Sequence, residues 1–546
     1  MLTGGDALQA PANQNTESRL TTMKRILGLG LLVCFMAGTA LAETKTYNVD
    51  GGTISGAVVD GIHVFKGVPF AAPPVGDLRW KAPQPVETWP RTKVCTSTGP
   101  MCPQTKSSPL SIYARAPEPQ SEDCLYLNIW SGDTAAGAKR PVMVWIHGGS
   151  LTRGSGSGSI YDGASLAKKG VVVVTVNYRL NIFGYLAHPE LTAESEHNSS
   201  GNYGVLDQIA ALEWVQRNIK EFGGDPDRVT IFGESAGSWS VNTLNASPLA
   251  AGLFHGAIGE SGAFFDGMTH LSDSSDALPS AESMGVAIAG LAGADSIAEL
   301  RDLSSTKLLQ IYSKDIASGS PVFATRPNVD GWVLPDEIRN IFERGEHNDV
   351  PVIVGSNTDE MTSLTAPGRI PRTVEKLTAV VEERYPGTSE EFLKVYAAAS
   401  DSEASGAYLA SLRDIFFTLP MRKWAQRTSA GKSDAYLYSF THHPPIANSA
   451  YFKSFHAAEI AYVFNNLERL EGANYTTEDH ALADSLSSYW VNFATSGNPN
   501  GGTLPEWPMY SAERAAHMEL GTTIEPGEDL LKDQLDFIER ISKGNE

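Results

Sequence analysis

Six short runs, at residues 141–146, 171–178, 229–232, 256–260, 350–355 and 435–440, are rich in β-branched and apolar residues, and several carry almost no polar side chain. A strand with one wet face alternates apolar with polar, whereas a strand apolar at every position has to be covered on both faces. Between the second and third runs, Val205, Ile209, Leu212, Val215 and Ile219 recur at steps of three and four and stop near Gly223-Gly224, the pattern of an amphipathic helix with a glycine end. Strand, helix, strand in that order builds a mostly parallel sheet with helices on both faces, an α/β fold. Residues 266–345 and 372–430 read as mostly helical and are expected to be insertions that cap the active end of the sheet. A length of 546 residues would by itself suggest more than one domain, at about 150 residues each. The 42% apolar and 19% charged content supplies a large core and too little charge for disorder.

One segment is set aside before any fold is assigned. Met23-Lys24-Arg25, the apolar run from 26 to about 36 and Ala40-Leu41-Ala42 make up the three regions of a secretory signal peptide, removed ahead of Glu43. The run falls short of the ~20 residues a membrane-spanning helix requires. Residues 1–22 form an upstream tail, with Met23 as a second candidate start. A secreted or periplasmic chain is expected. Its net charge of −21 repels phosphate backbones and anionic lipid, so neither nucleic acid nor membrane is an expected partner. After removal of Cys34, Cys95, Cys102 and Cys124 remain, an odd number in an oxidising compartment, which leaves one thiol over. Asn198, Asn245 and Asn474 each open an Asn-x-Ser/Thr triplet.

Chemistry concentrates at Gly233-Glu234-Ser235-Ala236-Gly237, directly after the run 229–232. A serine held out on a sharp turn from strand to helix needs small neighbours, because helix and strand approach too closely for side chains. Nowhere else does the chain carry Gly-x-Ser-x-Gly. The glycine-rich stretch Gly154-Ser155-Gly156-Ser157-Gly158 lacks the Gly-Lys-Ser/Thr ending of a phosphate loop and is expected to be a flexible loop. With no His-Glu-x-x-His, dinucleotide fingerprint or Cys-x-x-Cys, no cofactor or metal is implied.

The stretch GNYGVLDQIAALEWVQRNIKEFGGDPDRVTIFGESAG (201–237) and SEDCLYLNIW (121–130) resemble the signatures of the type-B carboxylesterases, the family of cholinesterases and para-nitrobenzyl esterases. The likeness runs from about residue 51 to 490. It implies a single α/β-hydrolase domain over 43–546, and a triad in the chain order nucleophile, acid, base.

On that resemblance Ser235 is the nucleophile and His456, in Phe455-His456-Ala457-Ala458-Glu459, is the base, although His442 and His443 directly follow a predicted strand. The acid lies in Asn357-Thr358-Asp359-Glu360, where the family places it on Glu360 with Asp359 as the competing carboxylate. Met361 stands where the family usually has glycine. The oxyanion donors are the backbone N–H groups of Gly149, Ser150 and Ala236, with Ser150 in place of a third glycine. Ser261 matches a serine that hydrogen-bonds near the triad. Cys102 and Cys124 match a family disulfide, which leaves Cys95 free. The implied activity is hydrolysis of carboxylic esters, bulky ones among them, through an acyl-enzyme. An amidase or peptidase on the same fold, and a non-catalytic adhesion relative, are the alternatives; nothing in the sequence addresses oligomeric state. Arg153, three residues past Ser150, is a candidate for clamping a substrate carboxylate, which points to esters of polycarboxylic acids in the manner of the family's fumonisin-type esterases.

Overall fold

The computed structural model describes residues 45–543 apart from 107–111, 114–117, 136, 275–277, 319–320 and 470–471. The expected upstream tail, signal peptide and Cys34 lie outside the described residues. Eleven strands form one sheet: β1 (Ala57–Val59), β2 (Ile62–Pro69), β3 (Tyr126–Ser131), β4 (Arg140–Ile146), β5 (Val172–Val176), β6 (Gly224–Glu234), β7 (Gly256–Glu260), β8 (Val352–Asn357), β9 (Ala435–Phe440), β10 (His517–Leu520) and β11 (Ile524–Gly527). Their spatial order is β1-β2-β3-β5-β4-β6-β7-β8-β9-β10-β11. From β5 to β10 in that order all neighbours are parallel, and the outer strands pair antiparallel.

Each of the six apolar runs is a strand of the parallel block, and side-chain alternation explains why they read as unbroken. On β4, Val142, Val144 and Ile146 enter one core with Val172, Val174, Val176 and Ile231. Met143 and Trp145 enter a second core with Val173, Phe232, Ile258, Ile353 and Tyr438. The first core is covered by α1 (Tyr203–Asn218), α2 (Ala236–Ala246) and α3 (Leu419–Ser429), the second by α4 (Thr477–Ser496). α1 ends as its spacing predicts, in a 3₁₀ turn over Ile219–Phe222 and a left-handed Gly223.

Two expectations are corrected. The segment 372–430 is not insertion throughout: α3 lies on β8 and β9 and buries Met421, Trp424 and Ala425 in the main core, as their helical spacing allows. The helices before it, Val374–Arg384 and Asp401–Arg413, instead share a separate apolar cluster with Leu535, Phe537, Ile538 and Ile541 near the C-terminus. The glycine-rich loop at 154–158 is pinned rather than flexible. Gln104 brackets Gly154, accepting from its N–H at 2.9 Å and donating to its carbonyl at 2.8 Å. Asn177 Oδ1 accepts from Gly156 N–H at 2.9 Å. The small residues are needed because a Cβ at Gly156 would lie 2.8 Å from the Val176 carbonyl oxygen.

Cys102 and Cys124 are joined, across a sequence separation of 22. A loop of that length gives a chain-entropy stabilisation of ~3 kcal/mol. The bridge anchors the segment that carries Gln104, and through it the loop next to the expected oxyanion donors. Cys95 is a free, buried thiol whose pKa burial pushes up to about 11, which makes it a poor nucleophile. Asn245 is buried at 1% exposure, so its triplet is not an accessible glycosylation site.

Candidate active site

At the end of β6 the chain turns through Ser235, with φ 56° and ψ −120°, straight into α2. A non-glycine residue in that conformation carries strain, held here by two hydrogen bonds: Ser235 N–H donates to the Glu260 carbonyl on β7 at 2.8 Å, and the Ser235 carbonyl accepts from Trp239 N–H at 2.9 Å. The flanking glycines are there for space. A Cβ on Gly233 would sit 2.6 Å, and one on Gly237 2.0 Å, from the Ile146 carbonyl oxygen at the end of β4.

Glu360 follows β8 and is fully buried. Its Oε1 accepts from Ser261 Oγ at 2.6 Å and from Asn357 N–H at 2.8 Å; its Oε2 lies 2.5 Å from His456 Nδ1. Met361 opens a single helical turn, so no left-handed residue is needed after the acid. Asp359 faces elsewhere, 3.4 Å from Lys453 Nζ and 4.0 Å from His443. His442 pairs with Asp479 at 2.7 Å. Of the candidate pairings, the structure brings Glu360 and His456 together.

The loop that carries His456 is laid onto the acid loop by backbone contacts. Asn357 Nδ2 donates to the Phe455 carbonyl at 2.8 Å, Thr362 Oγ1 to the Phe452 carbonyl at 2.7 Å, and Tyr113 OH to the carbonyl of His456 itself at 2.9 Å. Phe417 packs on the imidazole, with ring centroids 4.9 Å apart. With Nδ1 taken by Glu360, Nε2 faces the turn at 234–235 and lies 3.1 Å from Glu234 Oε1. Among the described residues no hydrogen bond joins Ser235 Oγ to His456; such contacts often tighten only when substrate binds.

Opposite the turn, Gly149 has φ 115° and Ser150 φ 56°. Ser150 therefore adopts the left-handed backbone its family glycine would, at some cost in strain. The N–H groups of Gly149, Ser150 and Ala236 donate to no backbone carbonyl in turns or loops among the described residues. Ala236 is the first residue of α2, where a helix has no partner for its N–H groups. Arg153 is exposed on the same loop.

Reading the sequence did not pick out the acidic surroundings of His456. Glu234, Glu260 and Glu459 are all buried. Glu260 Oε1 accepts from Trp490 Nε1 at 2.8 Å, and Glu459 Oε2 from Asn357 Nδ2 at 2.5 Å. Burial, together with the Glu234 and Glu360 charges, pushes Glu459 to about 8, and burial with the Glu459 charge raises Glu260 well above the carboxylate range. Burial lowers the His456 pKa, but Glu234, Glu360 and Glu459 more than offset it and bring it to about 9. Glu234 and Glu459 were visible as neighbours within the two motifs; only the fold shows that they converge.

These shifts predict opposite pH trends for activity and stability. A general base has to be neutral, so kcat/KM should rise on a limb well alkaline of the ordinary histidine value of 6.5. His456 and Glu459 both have folded pKa values above those ordinary for histidine and glutamate, so they bind more protons folded than unfolded. The stability they contribute is fully present below the unfolded values and is lost as pH rises through about 8 for Glu459 and about 9 for His456. Urea midpoints and initial rates measured between pH 5 and 10 would check both trends. Glu234→Gln should move the activity limb to lower pH; an unmoved limb would mean that Glu234 does not set it.

The comparisons with known proteins agree with one another. The sequence profile described as "Carboxylesterase family" matches residues 43–538. The chain is similar to the fumonisin B1 esterase of Sphingopyxis macrogoltabida, 38% identical over 515 residues and covering 91% of each chain. It is also similar to the para-nitrobenzyl esterase of Bacillus subtilis (strain 168), at 36% identity over 87% of this chain and 94% of that one. Among solved structures, a thermophilic PNB esterase superposes with a TM-score of 0.79 at 34% identity, covering 91% of this chain and 100% of its own.

Proposed function

The chain belongs to the carboxylesterase family and is a carboxylic-ester hydrolase of α/β-hydrolase fold, and from that premise we propose that Ser235, His456 and Glu360 are the groups that carry the reaction. The observation behind this reading is the chain of contacts Ser261 to Glu360 to His456, converging on the strained turn at Ser235. His456 Nε2 takes the Ser235 proton as Oγ attacks the ester carbonyl, and Glu360 holds the imidazole by Nδ1 and stabilises the imidazolium. The developing oxyanion is met by the N–H groups of Gly149, Ser150 and Ala236. His456 then protonates the leaving alcohol, and a water that it deprotonates cleaves the acyl-enzyme. Ser261 acts through Glu360 as a positioning residue.

Esters of polycarboxylic acids are proposed substrates. Arg153, on the oxyanion loop, forms no ion pair among the described residues, and a cation at the mouth of so acidic a protein would favour entry of an anionic ester. The fumonisin B1 esterase relative supports the same class. The Cys102–Cys124 bridge supports secretion or export to the periplasm, where disulfides persist. Among the described residues no helix is long and apolar enough to cross a membrane.

Treatment with an organophosphate tests the nucleophile. One label per chain at Ser235, with loss of hydrolysis in step with labelling, is the expected result. Stoichiometric labelling of another residue would overturn the assignment.

A further inference from the structure

The carbonyls of Phe452, Phe455 and His456 each receive a side-chain hydrogen bond. Two of the donors, Thr362 and Asn357, belong to the acid's own loop. The third, on the carbonyl of His456 itself, is Tyr113, 343 positions away in the chain. Tyr113 OH also shares a 2.7 Å hydrogen bond with Ser363 Oγ, and that oxygen lies 3.3 Å from the Glu360 carbonyl. One phenol hydroxyl thus stands between the backbone of the base and the turn Met361–Leu364 that follows the acid. Because that turn is helical from Met361 onward, its next two residues present hydroxyls to two different segments, Thr362 to Phe452 and Ser363 to Tyr113.

Tyr113 is anchored from behind. It lies on the loop closed by the Cys102–Cys124 bridge, and the neck of that loop is closed again by Met101 N–H on the Pro119 carbonyl at 2.9 Å, Ser121 N–H on the Met101 carbonyl at 3.0 Å and Gln104 N–H on Gln120 Oε1 at 3.0 Å. Its ring packs against the second core, which also holds Phe455 and Ala458. Burial, with the charges of Glu234, Glu360 and Glu459, raises the hydroxyl pKa well above the ordinary tyrosine value of 10, so it keeps a proton to donate. What it holds is a backbone under strain: Ala457, directly after His456, has φ 68°, a left-handed conformation that costs an alanine energy. Any relaxation of that peptide is passed to the imidazole, whose Nδ1 stands 2.5 Å from Glu360 Oε2.

We propose that Tyr113 is a positioning residue for His456: its hydroxyl clips the carbonyl of the base to the turn of the acid and so fixes Nδ1 on Glu360. The proposal rests on the esterase reading above and adds to it a group that touches neither the substrate nor a reacting atom. Asn357 and Thr362 tie the base to the acid loop; Tyr113, anchored on another segment, fixes where the pair stands. Small misplacements of a catalytic group are costly in rate, which is why a single hydroxyl at this point has leverage.

The test compares the wild-type chain with Tyr113→Phe, which keeps the packed ring and removes only the hydroxyl, on 4-nitrophenyl butyrate. In Tyr113→Phe kcat should fall by about 10-fold with KM within about two-fold, because the phenol touches no substrate. The imidazole feels Glu234, Glu360 and Glu459; with its hold on Glu360 loosened, the limb on which kcat/KM rises should move to lower pH. The low-field proton resonance of the Nδ1–H shared with Glu360 should broaden or move upfield, a readout that needs no turnover. Ser363→Ala should give a smaller effect in the same direction, and the double variant should be no worse than Tyr113→Phe alone. Unchanged kcat and limb in Tyr113→Phe, or a lower Tm with limb and resonance unmoved, would make the hydroxyl structural and overturn the clip. So would a rise in KM alone, which would put Tyr113 on the substrate, or effects of the two variants that multiply. A wild type that cleaves no ester and takes no organophosphate label on Ser235 would instead overturn the catalytic reading beneath it, and the clip with it.

Discussion

Replacing Ser235 by alanine is expected to lower kcat by about 10⁶, and adding His456→Ala to the same chain is expected to cost little more. The reason is that the two act as a unit: without Oγ there is nothing for the imidazole to deprotonate, and without the imidazole the hydroxyl is a weak nucleophile. Residual turnover should remain ~10³- to 10⁴-fold above water, because the backbone donors at Gly149, Ser150 and Ala236 are untouched. Single and double variants assayed on one activated ester give the answer. Effects that multiply would show independent contributions and remove the case for a triad.

Glu360→Gln is expected to cost about 10⁴ in kcat, as the equivalent change does in a serine-protease triad, while leaving the fold intact. Its orientation is forced. Asn357 N–H and Ser261 Oγ both donate to Oε1, so a glutamine has to place its carbonyl there and turn its amide toward His456 Nδ1. A donor facing Nδ1 favours the tautomer with its proton on Nε2, which cannot accept from Ser235. Loss of the charge also removes one of the carboxylates that raise His456, so what remains of the pH limb should move toward acid. Asp359→Asn should leave kcat within a few-fold, since Asp359 faces Lys453. A larger loss there than at Glu360 would mean that the acid has been assigned to the wrong residue.

How far such a site can be read in advance depends on whether its signal is local. The six central strands β4 to β9 were legible because burial on both faces leaves few polar positions to confuse the pattern. β1, β2, β3, β10 and β11 were not: polar residues such as His63, Lys66, Asn128, Glu519 and Glu525 interrupt four of them, and β1 is only three residues long, with Val58 and Val59 64% and 54% exposed. β6 starts at Gly224, before its apolar run, because pairing with Arg140 on β4 extends it. Ser235 announced itself through glycines that the turn demands. Glu360 and His456 came from resemblance alone, since a carboxylate and a histidine 96 residues apart have no local pattern in common. The cluster of Glu234, Glu260 and Glu459 is a property of three dimensions, and no window of sequence contains it.

The pressure of Gly233 and Gly237 on the Ile146 carbonyl divides the protein into parts that can and cannot be redesigned. A methyl group at either glycine would push β4 away from α2, so a library randomised there should return almost only inactive clones, whatever substrate is used for screening. Gly149 is closed in the same way, because a Cβ would lie 2.2 Å from the Arg153 carbonyl oxygen. The Arg153 side chain and residues 321–326 of the cap lie outside that lock, and five of those six cap residues are exposed or half-buried. New specificity in this scaffold therefore has to be sought at the rim, where lineages that share one catalytic turn are free to diverge.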